Sequence, residues 1–123
     1  MSATDTSECI FCRIAAKSVP AEIVAEDDHL MAFSDIHPRA PVHILVIPKE
    51  HIQSIIHLEN NHSDVLAGLI YAAKRIAGDR NLRGYKLLFN VGREGGQEVD
   101  HLHLHLLGGW QDGEIGSKKI IPL

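Results

Sequence analysis

Between Val99 and Leu107 the chain runs Val-Asp-His-Leu-His-Leu-His-Leu-Leu. No other stretch narrows the possible folds as far, because a β-strand sends successive side chains to opposite faces. As a strand it places His101, His103 and His105 on one face and Leu102, Leu104 and Leu106 on the other. Side chains on one face then recur about every 6.6 Å. The leucine face needs an apolar layer, which a helix supplies. Ordinary solvated strand faces use Thr, Lys, Glu or Ser rather than three imidazoles. Nine histidines in 123 residues is a high count, and a neutral imidazole serves near pH 7 as nucleophile, acid/base or metal ligand.

The surrounding segments provide the partners such a strand needs. Apolar Ile10, Phe11, Ile14 and Ala15 predict a short amphipathic helix over Ile10 to Lys17, stopped by Pro20. Glu22 to Glu26 and Leu30 to Ser34 form a strand pair around an Asp27-Asp28 turn. Pro38 and Pro41 make Asp35 to Pro41 an extended loop. His43 to Ile47 is a buried strand ended by Pro48, and Glu50 to Leu58 a short helix. Asn61 or Ser63 caps a helix running to about Gly78, with Val65, Leu66, Leu69, Ile70, Ala73, Ile76 and Ala77 at helical spacing. Tyr85 to Val91 is a strand, and Gly92 to Gly96 a turn. The pattern is α+β, a mostly antiparallel five-stranded sheet with helices packed on one face. Met1 to Glu8 is a polar leader expected to be disordered, and residues 9–123 form a single domain.

Composition excludes several function classes. A net charge of −4 argues against nucleic acid as a partner, since phosphate backbones need a basic patch. No apolar run approaches the ~20 residues that span a bilayer, and the leader has no apolar core of a secretory signal. A cytoplasmic protein is expected. Cys9 and Cys12 are spaced C-x-x-C, which in a reducing compartment points to metal or redox chemistry before a structural disulfide. Two reduced cysteines packing a short helix is the plainer alternative.

His-x-His-x-His followed by two apolar residues resembles the signature of the histidine triad (HIT) family. Further similar blocks are Cys9-Ile-Phe-Cys-Arg-Ile, Glu26-Asp-Asp, Ala32-Phe-Ser-Asp-Ile-His-Pro, Pro41-Val-His-Ile-Leu-Val-Ile-Pro-Lys-Glu-His, Gly96-Gln-Glu-Val and Gly108-Gly109. The resemblance covers roughly Cys9 to Gly109. It is strongest to the HINT branch, whose members are purine nucleoside phosphoramidases. The implied fold is the HIT-like sheet, and the implied activity is cleavage of purine nucleoside 5′-phosphoramidates through a nucleotidyl-histidine. The alternatives are a diadenosine polyphosphate hydrolase, or a zinc-stabilised nucleotide-binding scaffold with incidental hydrolysis.

The resemblance also implies roles. His103 is the nucleophile, which requires a neutral ring held in one tautomer, with a backbone carbonyl as the expected holder. His105 contacts the phosphate and departing group, and His43 is the fourth active-site imidazole or, on its own sequence context, a satisfied core histidine. Phe33 and Ile36 sandwich the base, with Ile10, Phe11 and Val19 as further walls. Asp35 accepts the ribose hydroxyls, its carboxylate offering two acceptor oxygens. Asn90 bonds the phosphate or ester oxygen; as a turn residue it needs no such role. Around Gln97, Glu98 and Val99, main-chain N–H groups stabilise phosphoryl charge. Cys9, Cys12, His51 and His101 complete a tetrahedral structural zinc site of a kind found in several bacterial HIT proteins. The best-known HINT phosphoramidases often lack the cysteine pair. His29, His37, His57 and His62 are expected at the surface. No organic cofactor is implied. A homodimer is, with Ile120, Ile121 and Leu123 reaching the partner's site.

Overall fold

The histidine-leucine stretch lies inside an antiparallel sheet, not at its edge. The computed structural model describes residues 8–111. Its strands are β1 (Ile23–Glu26), β2 (Leu30–Ser34), β3 (Val42–Pro48), β4 (Tyr85–Leu88) and β5 (Leu104–Gly108). They are ordered β1-β2-β3-β5-β4, every neighbouring pair antiparallel. Two helices accompany them, α1 (Ile10–Ala15) and α2 (Ser63–Asp79). Among the described residues no helix is long and apolar enough to cross a membrane. The leader before Glu8 and the tail residues Ile120, Ile121 and Leu123 lie outside the described residues.

Side-chain alternation divides the core in two. Ala32, Ile44, Val46, Leu102, Leu104 and Leu106 point to one face, where Leu69, Ala73, Ile76 and Ala77 of α2 cover them. Each leucine buried this way contributes about 1.5–3 kcal/mol. Met31, Phe33, Leu45 and Ile47 point to the opposite face and pack with Phe11 and Ile14 of α1. The expectation of helices on one face thus holds for α2, while α1 lies on the other. That second face is also the imidazole face, because Phe33 pairs with Leu45 and Leu45 with His105 across the ladder.

Several boundaries differ from the sequence expectation, each for a local reason. Pairing on β5 begins at Leu104, not Val99. Val46 pairs with Leu104, so the register brings Pro48 opposite Leu102, and a proline has no N–H to offer a ladder. Leu102 N–H donates instead to Ile52 O at 2.7 Å. Strand β4 has β5 as its sheet neighbour and stops at Leu88, opposite His105. Helix α1 ends at Ala15, before Pro20, because Lys17 adopts a left-handed φ of 61° and the Lys17 and Ser18 N–H groups bond back to Ile14 and Arg13 carbonyls. Asn81, at φ 58°, closes α2 in the same way. Only Ile55–His57 of the expected Glu50–Leu58 helix is helical, as one 3-10 turn. At the start of α2 neither Asn61 nor Ser63 supplies the cap; the preceding 3-10 turn has a capping box formed by Glu59 and His62.

The β1–β2 turn forms where Asp27-Asp28 placed it. Asp27 Oδ1 accepts the N–H groups of both His29 and Leu30 at 2.7 Å, and these backbone bonds hold its carboxyl below the usual value. A depressed carboxyl stabilises the fold above the unfolded value of about 3.9, and that contribution fades as pH falls through the lower native one. Asp27→Ala should therefore cost on the order of 1 kcal/mol at pH 7, with the gap to the parent narrowing below about pH 4. Urea unfolding at neutral and acidic pH measures this; a gap that grows on acidification contradicts it.

Candidate active site

Three imidazoles meet in the face under α1, where main-chain atoms set the tautomers of His103 and His43, and His43 sets that of His105. His103 is buried, and its Nδ1–H donates to the His101 carbonyl at 2.7 Å. This is the backbone holder expected from the sequence, and it leaves the Nε2 lone pair for the cleft. His43 Nδ1 accepts the Arg39 N–H at 3.0 Å, so His43 carries its proton on Nε2. That nitrogen lies 2.9 Å from His105 Nδ1 and 3.5 Å from Asp35 Oδ2. Donation from His43 makes His105 Nδ1 the acceptor and puts the His105 proton on Nε2. Among the described residues, His105 Nε2 is the buried side-chain nitrogen without a protein partner. A buried donor left unmade costs roughly 1–3 kcal/mol, so the fold holds an unmet demand at the cleft floor.

Burial keeps these rings neutral. Desolvation is the first cause lowering His43, His103 and His105, against the opposing pull of Asp35. His105, further lowered by the neighbouring His103 and His43, falls to about 3. Phe11 stacks edge-on over His103, with ring centroids 5.1 Å apart, and over Phe33 at 5.3 Å.

A cleft of about 240 Å³ opens from His103 and His105. Ile10, Phe11, Phe33 and Ile36 form its apolar end, while Asp35, Asn90, Glu98, Val99, His103 and His105 line the rest. Phe33 is core as well as wall, at 3% exposure, whereas Ile36 stands 84% exposed on the rim. Asp35 Oδ1 accepts the His37 N–H at 2.8 Å, so the carboxylate shapes its loop as well as facing the cleft. Asn90 Nδ2 donates to Gly95 O at 2.9 Å, tying the strand end to the glycine turn. Val19 packs on the core beside α1 and is not a cleft wall.

Gln97 departs from its expected role. It is buried, its carboxamide accepts from Gly92 N and donates to Gln53 O and Val99 O, and its own N–H bonds Gly92 O. These bonds make it a brace for the loop, with no N–H left for a phosphate. Two of the expected surface histidines are also engaged. His37 lines the cleft mouth, and His62 caps the Glu59 N–H while contacting Glu50; His29 and His57 are exposed as expected.

Behind the triad, Cys9, Cys12, His51 and His101 bring their ligand atoms within 4.8 Å of one another. His101 is fully buried and its Nε2–H donates to Pro48 O at 2.8 Å, which turns Nδ1 toward the sulfurs. That Nδ1 lies 3.4 Å from Cys9 Sγ and 3.5 Å from Cys12 Sγ, and His51 Nδ1 lies 3.2 Å from Cys12 Sγ. Zinc bonds of about 2.3 Å to sulfur and 2.0–2.1 Å to nitrogen at tetrahedral angles separate S and N by roughly 3.5 Å. The donor set and its spacing fit that ion. Burial, with the hydrogen bond and charge of Cys9, pushes the Cys12 thiol up to about 12, a penalty that a divalent cation offsets.

The chain matches, over residues 8–120, the family model for scavenger mRNA decapping enzyme C-term binding. It is 43% identical to the purine nucleoside phosphoramidase of Escherichia coli strain K12, over 91% of this chain and 96% of that protein. It is 46% identical to protein HitA of Neisseria gonorrhoeae, over 81% and 94%. Among solved structures, a HIT family hydrolase from Legionella pneumophila Philadelphia 1 superposes with a TM-score of 0.83 at 49% identity, covering 85% of this chain and 95% of that one.

The chain belongs to the histidine triad (HIT) family.

A histidine triad protein from Clostridium difficile agrees at a TM-score of 0.84 and 39% identity, over 88% of this chain and 96% of that one. With HIT hydrolases as its neighbours, the chain is an enzyme of the hydrolase class. Among the cleft residues that the sequence did not single out, Arg39 is the charged one. The signal was present, since Arg39 lies between Pro38 and Pro41, four residues before His43. Its N–H bond to His43 depends on how that loop folds back.

Proposed function

We propose that this HIT hydrolase cleaves purine nucleoside 5′-phosphoramidates through a nucleotidyl-His103 intermediate, with residues 9–123 acting as one domain. The observation that supports this best is the pair of ring nitrogens facing one cleft: a lone pair on His103 Nε2 and an unpartnered proton on His105 Nε2. His103 Nε2 attacks the α-phosphorus as the P–N bond breaks, and the departing nitrogen takes up a proton from solvent, which the later hydrolysis returns, to leave as the amine. His105 Nε2–H donates to a phosphoryl oxygen as charge builds there. Water then cleaves the nucleotidyl-imidazole, releasing the monophosphate and a neutral His103. Phe33 and Ile36 hold the base, Asp35 the ribose, and Asn90 with the Glu98 and Val99 main chain the phosphate side. The identity to a purine nucleoside phosphoramidase supports the purine and the P–N bond.

Cys9, Cys12, His51 and His101 would hold one structural zinc, which supplies a cross-link between α1, the segment after β3 and the residues before β5. The ion would be closed off from the cleft, since His101 faces it with Nδ1 and the nucleophile with its carbonyl. A cytoplasmic location goes with this reading, since a reducing compartment is where a C-x-x-C pair serves metal before a disulfide. Leu87, half exposed on edge strand β4, supports a homodimer.

Replacing His103 by Ala should lower turnover of an adenosine phosphoramidate by a factor on the order of 10⁴ or more; near-parental rates would rule the covalent route out. Asp35→Ala should weaken ribonucleotides more than their 2′-deoxy counterparts, measured as affinities by calorimetry. Equal losses would make Asp35 a loop residue only. Protein purified without added zinc should contain one zinc per chain, absent from a Cys9→Ser/Cys12→Ser variant. Chelation should lower Tm before it lowers activity. Metal-free parent protein, or equal Tm in both, would mean the cysteines only pack.

A further inference from the structure

The cleft carries an unbalanced set of charges. Asp35 and Glu98 are acidic, and Arg39 is the one lysine or arginine among the described residues that line it. Arg39 is anchored through its own N–H to His43 Nδ1, and His43 in turn to His105. Its backbone is thus two imidazoles away from His103, and its side chain extends across the rim to Glu98, with Nη2 3.7 Å from Oε1. That separation is longer than a hydrogen bond, and the Glu98 side chain is 75% exposed. A screened surface pair of this kind contributes little. The guanidinium is therefore available to exchange Glu98 for a better acceptor, and its planar fork suits a carboxylate or phosphate.

We infer that Arg39 selects substrates whose leaving amine bears an oxyanion, a carboxylate or phosphate beyond the reacting phosphorus, with Glu98 as the competitor that it gives up on binding. The α-phosphate sits at the cleft floor with His103 and His105, whereas the Arg39–Glu98 pair spans the rim. This inference rests on the phosphoramidase reading for the identity of the P–N bond, but not for the choice of charge.

The experiment uses matched adenosine 5′-phosphoramidates of glycine and glycinamide, alike in size and differing in charge, with an aminomethylphosphonate analogue to separate carboxylate from phosphate. Affinities are measured by calorimetry in His103→Asn protein, which cannot turn them over, and kcat/KM in the parent. The glycine ligand should bind about tenfold or more tightly than the glycinamide, as expected for a charge-assisted pair. Adding Arg39→Gln, which keeps the N–H to His43, should abolish that preference. Arg39→Lys should restore part of it, and Glu98→Gln should enlarge it. A phosphonate preference above that for the carboxylate assigns phosphate as the natural group, and the reverse order assigns carboxylate. No preference in the arginine protein, or equal weakening of both glycine ligands by Arg39→Gln, overturns the inference. A preference lost with Arg39 but no hydrolysis by the parent leaves the inference standing and removes the phosphoramidase reading. Failure of every ligand to bind removes both.

Discussion

Side chains two residues apart on one strand must share a face, and the ladder transmits that choice to every neighbouring strand. His105 pairs with Leu45, and Leu45 with Phe33. Once leucines 102, 104 and 106 are committed to α2, the histidines are obliged to lie on the face that also carries Phe33 and Leu45. A one-residue slip would send the leucines outward and the imidazoles into the α2 core. The several kcal/mol of leucine burial that stabilise the sheet therefore also set the position of the chemistry. Little separate energy is needed to hold the triad in place.

Burial under α1 then determines protonation. Phe11, projecting from a helix of six residues, covers both His101 and His103. Taken out of water, the rings favour their neutral forms, and His101 falls to about 4. A neutral ring still has two tautomers, and the main chain chooses between them. The His101 carbonyl takes the His103 Nδ1 proton, and the Arg39 N–H occupies His43 Nδ1. Backbone atoms cannot change with the side chains around them, so these two bonds orient the whole imidazole array. His101 links the two constellations, with its ring among the cysteines and its carbonyl on His103 Nδ1.

Much of this was legible in the sequence, though not evenly. Alternation in the histidine stretch, helical spacing from Val65 to Ala77 and the Asp27-Asp28 turn are local patterns, and local physics suffices for them. The C-x-x-C pair was legible as a half-site, and the family resemblance named its completing histidines. Gln97 was misplaced because the loop consumes its N–H and its carboxamide, and a motif does not show where hydrogen bonds are already satisfied. Val19 and His62 were misjudged for a related reason: exposure is a property of the packed chain.

From the sequence alone came the strand count, the separation of leucines from histidines on the two faces of the last strand, and the residue types of both constellations. All of these follow from side-chain period and chemical identity, which travel with the chain. Tertiary structure decided where β5 begins, since Pro48 lies opposite Leu102 only in the folded register. It also decided which face α1 covers, which nitrogen of each imidazole carries the proton, and that Arg39 joins the cleft. Those features depend on contacts between segments far apart in sequence: 53 residues from Pro48 to His101 and 62 from His43 to His105. Only closure of the sheet brings such segments together.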